Sequence, residues 1–100
     1  MLIRNVYFTL KNSSQEAIDA LVEDCNKYLT DHPGCMFYAA GELAKEIDRP
    51  INDRDFHVAL HIVFENMDYQ NQYQVSQRHT EFIEKNKDGW EKVRVFDSVC

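Results

Sequence analysis

Positive charge is in short supply in this chain. Eleven lysines and arginines stand against 17 aspartates and glutamates, a formal net charge of −6. That field repels a phosphate backbone and argues against nucleic acid as a partner. Glycine is scarcer still: Gly34, Gly41 and Gly89 are the only three, and two of them read as turn residues. No glycine-rich phosphate loop, dinucleotide fingerprint or serine nucleophile elbow occurs. The three cysteines, Cys25, Cys35 and Cys100, are an odd number at unrelated spacings. They form no paired motif for zinc or redox exchange and read as reduced packing residues, with the terminal Cys100 the one placed to react. Apolar runs are a few residues long, far short of the roughly 20 that cross a bilayer, and the N-terminus lacks a signal-peptide layout. A soluble, cytoplasmic protein without membrane contact is expected. At 100 residues the chain is the size of one domain, spanning 1–100.

What is present is a pattern that runs twice, an apolar strand, an amphipathic helix and another apolar strand. The first copy is Leu2 to Lys11, Ser13 to His32 and Cys35 to Leu43; the second is Asp55 to Glu65, Asp68 to Lys87 and Val93 to Val99. Two split βαβ units predict an α+β, ferredoxin-like fold with a four-stranded antiparallel sheet. In strand 1, Val6, Phe8 and Leu10 share one parity and Ile3, Asn5, Tyr7 and Thr9 the other. Strand 3 places Phe56, Val58, Leu60, Ile62 and Phe64 against His57, Ala59, His61 and Val63. Bulky apolar residues thus occur at both parities, while two helices can cover only one face. Something else must cover the other face.

Local signals fix the helices. Ser13 and Glu16 form a capping box, after which Ala17, Leu21, Cys25, Tyr28 and Leu29 recur at helical spacing. His32, Pro33 and Gly34 stop that helix, glycine accepting the left-handed conformation a turn here requires. Ala44 to Arg54 is charged, contains Pro50 and reads as a solvated connector. Asn66 or Asp68 caps the second helix, Ser76 is placed to restart it after a local break, and Asp88 and Gly89 end it. Asp97 is an unusual polar residue among Val93, Val95 and Val99.

Several segments in this order and spacing resemble the stress-responsive A/B barrel, or dimeric α/β barrel, family. They are Ile3-Arg4-Asn5-Val6, Asp53-Arg54-Asp55-Phe56 running into Val58-Ala59-Leu60, Phe64-Glu65, Tyr73 to His79, and Val93-Arg94-Val95-Phe96-Asp97. The resemblance spans almost the whole chain and implies a homodimer with two ferredoxin-like subunits packed sheet to sheet. The family includes plant stress proteins, a plant polyketide cyclase and bacterial members without assigned activity. In the cyclase a strand-1 histidine, a helix-2 tyrosine and a helix-2 histidine line a cavity beneath the helices. The tyrosine matches Tyr73 and the histidine His79, whereas Asn5 replaces the strand-1 histidine and Ser76-Gln77 stands where the family has a His-Pro pair.

The resemblance leaves two function classes open, a module that binds a small apolar ligand and a cofactor-free enzyme of the cyclase or isomerase type. A cofactor-free oxygenase has no residue signature here. Aldol-type cyclisation needs a base near neutral pH and a donor for the developing enolate, which assigns His79 as base, Tyr73 as donor and Asp97 as the acceptor orienting His79. Asn5, Tyr7, Val58 and Phe82 are the expected ligand-lining residues. The plainer alternative makes His79 a hydrogen-bonded structural residue, Tyr73 a core aromatic and Asp97 a strand-end cap. No cofactor or metal is expected: His57 and His61 lie on one face of strand 3 but roughly 13 Å apart, too far to share one zinc ion.

Overall fold

The computed structural model describes residues 1–100. Strand β1 (Leu2–Leu10), helix α1 (Gln15–Tyr28) and strand β2 (Cys35–Glu42) form the first unit. Strand β3 (Val58–Phe64), helices α2 (Met67–Gln74) and α3 (Gln77–Asn86), a 3-10 turn over Lys87–Gly89 and strand β4 (Trp90–Val99) form the second. The four strands make one antiparallel sheet in the order β2-β3-β1-β4, the ferredoxin-like arrangement that two split βαβ units produce. No helix is long and apolar enough to cross a membrane.

The pleat of the two central strands divides their side chains between faces. Leu2, Val6, Phe8 and Leu10 of β1 and Val58, Leu60, Ile62 and Phe64 of β3 are buried beneath the helices. There they meet Ile18, Leu21, Cys25 and Leu29 from α1 and its C-cap, with Tyr73 and Phe82 from the second unit. Trp90, at the first position of β4, joins Phe8 and Phe82 with ring centroids 5.0 and 5.9 Å away. Burial pushes the Cys25 thiol up to about 12, so this cysteine behaves as a small apolar core residue. The other sheet face carries no helix. It presents Ile3, Tyr7 and Val63, half-buried, beside Phe37 and Phe96, which are 56% and 53% exposed.

Element ends depart from the sequence expectation for identifiable reasons. Ser14, not Ser13, caps α1: its hydroxyl accepts from Ala17 N–H at 3.2 Å, while its own N–H donates to Asn12 Oδ1. The helix stops at Tyr28, short of His32, because the chain turns left-handed at Asp31 (φ 61°) and Gly34 (φ 74°). Arg78 donates to the freed carbonyls of Lys27 and Thr30 at 2.6 and 2.7 Å, a cation at the negative helix end. Strand β3 starts at Val58, not Asp55, because side chains take over the pairing there. His57 Nδ1 accepts from Leu10 N–H at 2.9 Å, and Thr9 Oγ1 donates to the Asp55 carbonyl. The helix expected over 68–87 is two helices, with the restart at Ser76 foreseen from the sequence. Strand β4 begins at Trp90 instead of Val93, drawn in by the aromatic packing of that side chain.

Gly34 is the position where only glycine fits. Its φ is positive, and a Cβ there would lie 2.0 Å from the Tyr69 ring. Gly34→Ala is expected to lower the unfolding free energy by about 2 kcal/mol or more, adding a left-handed penalty to overpacking. Gly89→Ala, which meets nothing within 4 Å, serves as the control and should stay within about 0.5 kcal/mol in the same urea titration.

Candidate functional site

The break between α2 and α3 builds the site. Asn66 starts α2 by accepting from Tyr69 N–H, and the helix runs out at Val75. Ser76 then works in both directions: its hydroxyl donates to the Tyr73 carbonyl at 2.8 Å and accepts from His79 N–H at 3.2 Å. One serine thereby closes the first helix and caps the second. The bend brings the Tyr73 and His79 rings edge to face, with centroids 4.8 Å apart, and His32 also packs edge to face with Tyr73 at 4.9 Å.

Beneath this bend is a cavity of about 140 Å³. Val6, Phe8, Leu60, Phe82, Trp90 and Val95 supply apolar walls, while Arg4, Tyr73, Gln74 and His79 supply the polar ones. Arg4 is directly opposite Asp97 in the β1–β4 register. Its Nε and Nη2 donate to the two carboxylate oxygens of Asp97 at 2.8 and 3.0 Å, and Nη1 donates to Gln74 Oε1 at 2.6 Å. The bidentate pair fixes the plane of the guanidinium. It ties β1 to β4 and, through Gln74, to the end of α2.

Tyr73 and His79 are held electrically neutral. Burial raises the Tyr73 hydroxyl above its ordinary range and outweighs the opposing pull of Arg4. Burial lowers the His79 imidazole below 6.5, reinforced by the positive charge of Arg4 and by His32. The imidazole nitrogens and the phenol hydroxyl make no hydrogen bond within the chain, since Ser76 engages only the backbone of these two residues. A neutral imidazole with free nitrogens can accept a proton or a hydrogen bond, and a neutral phenol beside it can donate one.

The structure divides the residues expected from the sequence. Tyr73, His79 and Phe82 line the cavity together. Val58 does not reach it, being wholly buried in the core under α1. Asn5 and Tyr7 lie on the opposite sheet face, one pleat away from the helices. There Asn5 Oδ1 bonds His61 Nδ1 at 2.7 Å, and Tyr7 packs on Phe56 and Phe96. With Asp53 and Arg94 these residues line a separate open depression of about 370 Å³. Asp97 does not orient His79, because both its carboxylate oxygens are held by Arg4. The β1 side chain that enters the cavity is therefore Arg4, one position before Asn5. A sequence signal for it existed, since Arg4 is the one charge at the parity of Val6, Phe8 and Leu10, as Asp97 is among the valines of β4.

The remaining histidines are engaged locally. His57 Nδ1 accepts a backbone N–H, which leaves its proton on Nε2, and His32 Nε2 bonds the Tyr28 carbonyl at 2.8 Å. No three His, Cys, Asp or Glu side chains converge on a common point.

The same architecture recurs in known proteins. A ferredoxin-like protein of the same family from Mesorhizobium loti superposes with a TM-score of 0.81 at 21% identity, over 99% of this chain and 95% of that one. A dimeric ferredoxin-like protein of unknown function from Thermobifida fusca gives 0.78 at 15% identity, over 100% and 92%. A hydroxynitrile lyase from Passiflora edulis gives 0.76 at 20% identity, over 99% and 93%. No curated protein matches the chain by sequence. At such identities the superpositions speak to the fold, while the family is fixed by sequence: the model of the Stress Responsive A/B Barrel Domain matches residues 3–100, and the chain belongs to that family.

Proposed function

We propose that this chain works as a homodimer, packed through its helix-free sheet face, that binds a small, largely apolar molecule in the cavity beneath α2 and α3. The observation that carries the binding reading is the pairing of an apolar cavity with two polar side chains, Tyr73 and His79, whose polar atoms have no partner within the chain, on its wall. Ligand pockets share this composition, apolar lining with a few convergent polar groups. The dimer reading is supported by the half-exposed Phe37 and Phe96 beside Ile3, Tyr7 and Val63 on one face, and by the dimeric state described for the Thermobifida fusca neighbour.

A second reading, a cofactor-free enzyme with His79 as base and Tyr73 as donor, is favoured by the neutrality of His79 and its free ring nitrogens. A base must be deprotonated at working pH, and burial beside Arg4 keeps it so. Because Asp97 is committed to Arg4, this base works without a carboxylate behind it.

Light scattering at micromolar concentration should give a particle of twice 11.8 kDa, and Phe96→Asp on the open face should halve it with the fold retained. A monomeric wild type ends the dimer reading. In the cavity, His79→Ala should leave the melting temperature nearly unchanged and abolish the response to a bound fragment. If turnover is found, it should fall by about 10²- to 10⁴-fold, as for a lost general base, and Tyr73→Phe should lower it as well. A large drop in melting with unchanged binding assigns both residues to structure.

The pH dependence follows from the direction of the His79 shift. The folded protein resists protonating this ring, so as pH falls through 6.5 the unfolded chain takes up the proton first. The His79 contribution to stability is complete above that pH, declines as pH drops toward the lower folded value, and is constant below it. Ring-proton NMR should place the His79 midpoint below 6.5, with fragment binding lost across the same range. A midpoint at or above 6.5 contradicts the burial argument.

A further inference from the structure

We propose that Arg4 is the specificity-determining residue of the cavity, and that the Arg4–Asp97–Gln74 cluster selects a compact apolar molecule bearing a neutral carbonyl oxygen over the corresponding carboxylate. The inference rests on the cavity being a ligand site and names what that site prefers.

Arg4 interrupts a row of buried apolar side chains on β1, and Asp97 interrupts the valines of β4 directly across from it. The arginine side chain is only 14% exposed and that of the aspartate 39%, so the charges are partly stripped of water. A pair of this kind is weak evidence for stability, since apolar replacements of similar volume are often as good. Its position supplies a different reason for it, because the guanidinium forms part of the cavity wall.

The bonding pattern leaves the guanidinium something to offer. Asp97 takes the edge formed by Nε and Nη2, and Gln74 takes one hydrogen of Nη1. N–H donors on Nη1 and Nη2 remain unengaged, in a plane fixed by the bidentate pair. Together with the Tyr73 hydroxyl, they put several donors on the cavity wall. A carbonyl oxygen, which only accepts, complements such a wall.

Charge decides against the carboxylate. Arg4 and Asp97 cancel, and Tyr73 and His79 are uncharged, so the cluster carries no net charge to repay an anion for losing its water. A neutral ketone loses far less hydration on entry and still meets the guanidinium donors.

Cyclohexanone and cyclohexanecarboxylate, titrated separately into the full chain, provide the matched test, with His79 ring protons and the methyl groups of Leu60 and Val95 as NMR reporters. The ketone should shift these signals and bind at least about tenfold more tightly than the acid, whose carboxylate loses its hydration with no net charge to compensate it. The double variant Arg4→Met/Asp97→Leu removes both charges together, so that neither is left buried alone. It should keep its circular dichroism spectrum and bind the ketone at least about tenfold more weakly, the scale of one hydrogen bond to a charged donor. Equal or tighter binding of the carboxylate, or a ketone affinity unchanged in the double variant, overturns the role of Arg4 while leaving the cavity a ligand site. Failure of both probes to shift the cavity signals in the wild type overturns the ligand site and the selectivity with it.

Discussion

The pleat of β1 is the constraint on which the site depends. Successive side chains of a strand leave on opposite faces, so one residue of register separates the cavity from the open sheet face. Arg4, Val6 and Phe8 enter the space under the helices, while Asn5 and Tyr7 enter the depression on the other side. Because β1 is central, paired to both β3 and β4, its register is fixed twice over. The same pairing that buries Phe8 sets Arg4 opposite Asp97. Moving the strand by one residue would exchange the chemistry of the two faces and expose the core.

On top of that sheet, the interruption between α2 and α3 creates the opening. A continuous helix would carry Tyr73 and His79 on one rigid rod, with its backbone groups bonded along the axis. Here Val75 ends one helix and the Ser76 hydroxyl bridges the gap, so both rings turn toward one another over a space the side chains do not fill. The second unit is anchored at several points. Arg78 caps the end of α1, Asn86 and Lys85 bond Asp24, and Trp90 packs against both Phe8 and Phe82.

Electrostatics couple these two features. The guanidinium of Arg4 acts on both rings, opposing protonation of His79 and partly offsetting the burial that raises Tyr73. Asp97 makes the arginine tolerable in an apolar row, and Gln74 ties the arrangement to the end of α2. The result is a set of neutral proton-handling groups around one compensated charge, a setting in which hydrogen bonds are stronger than in water and unmatched ions are costly.

The sequence by itself determined the element order, the sheet, the caps at Asn66 and Ser76 and the left-handed turn at Gly34, because these follow from local periodicity and local hydrogen bonding; Tyr73 and His79 were paired only by the family resemblance. It also marked Asp97 as anomalous among valines. What the tertiary structure alone decided was partnership. Asp97 belongs to Arg4 and not to His79, because strands far apart in sequence meet in a register that no local pattern encodes. Asn5 and Tyr7 fall outside the cavity, because which parity of a strand faces the helices is set by how the helices dock, and in strands apolar on both faces the residues do not announce the choice.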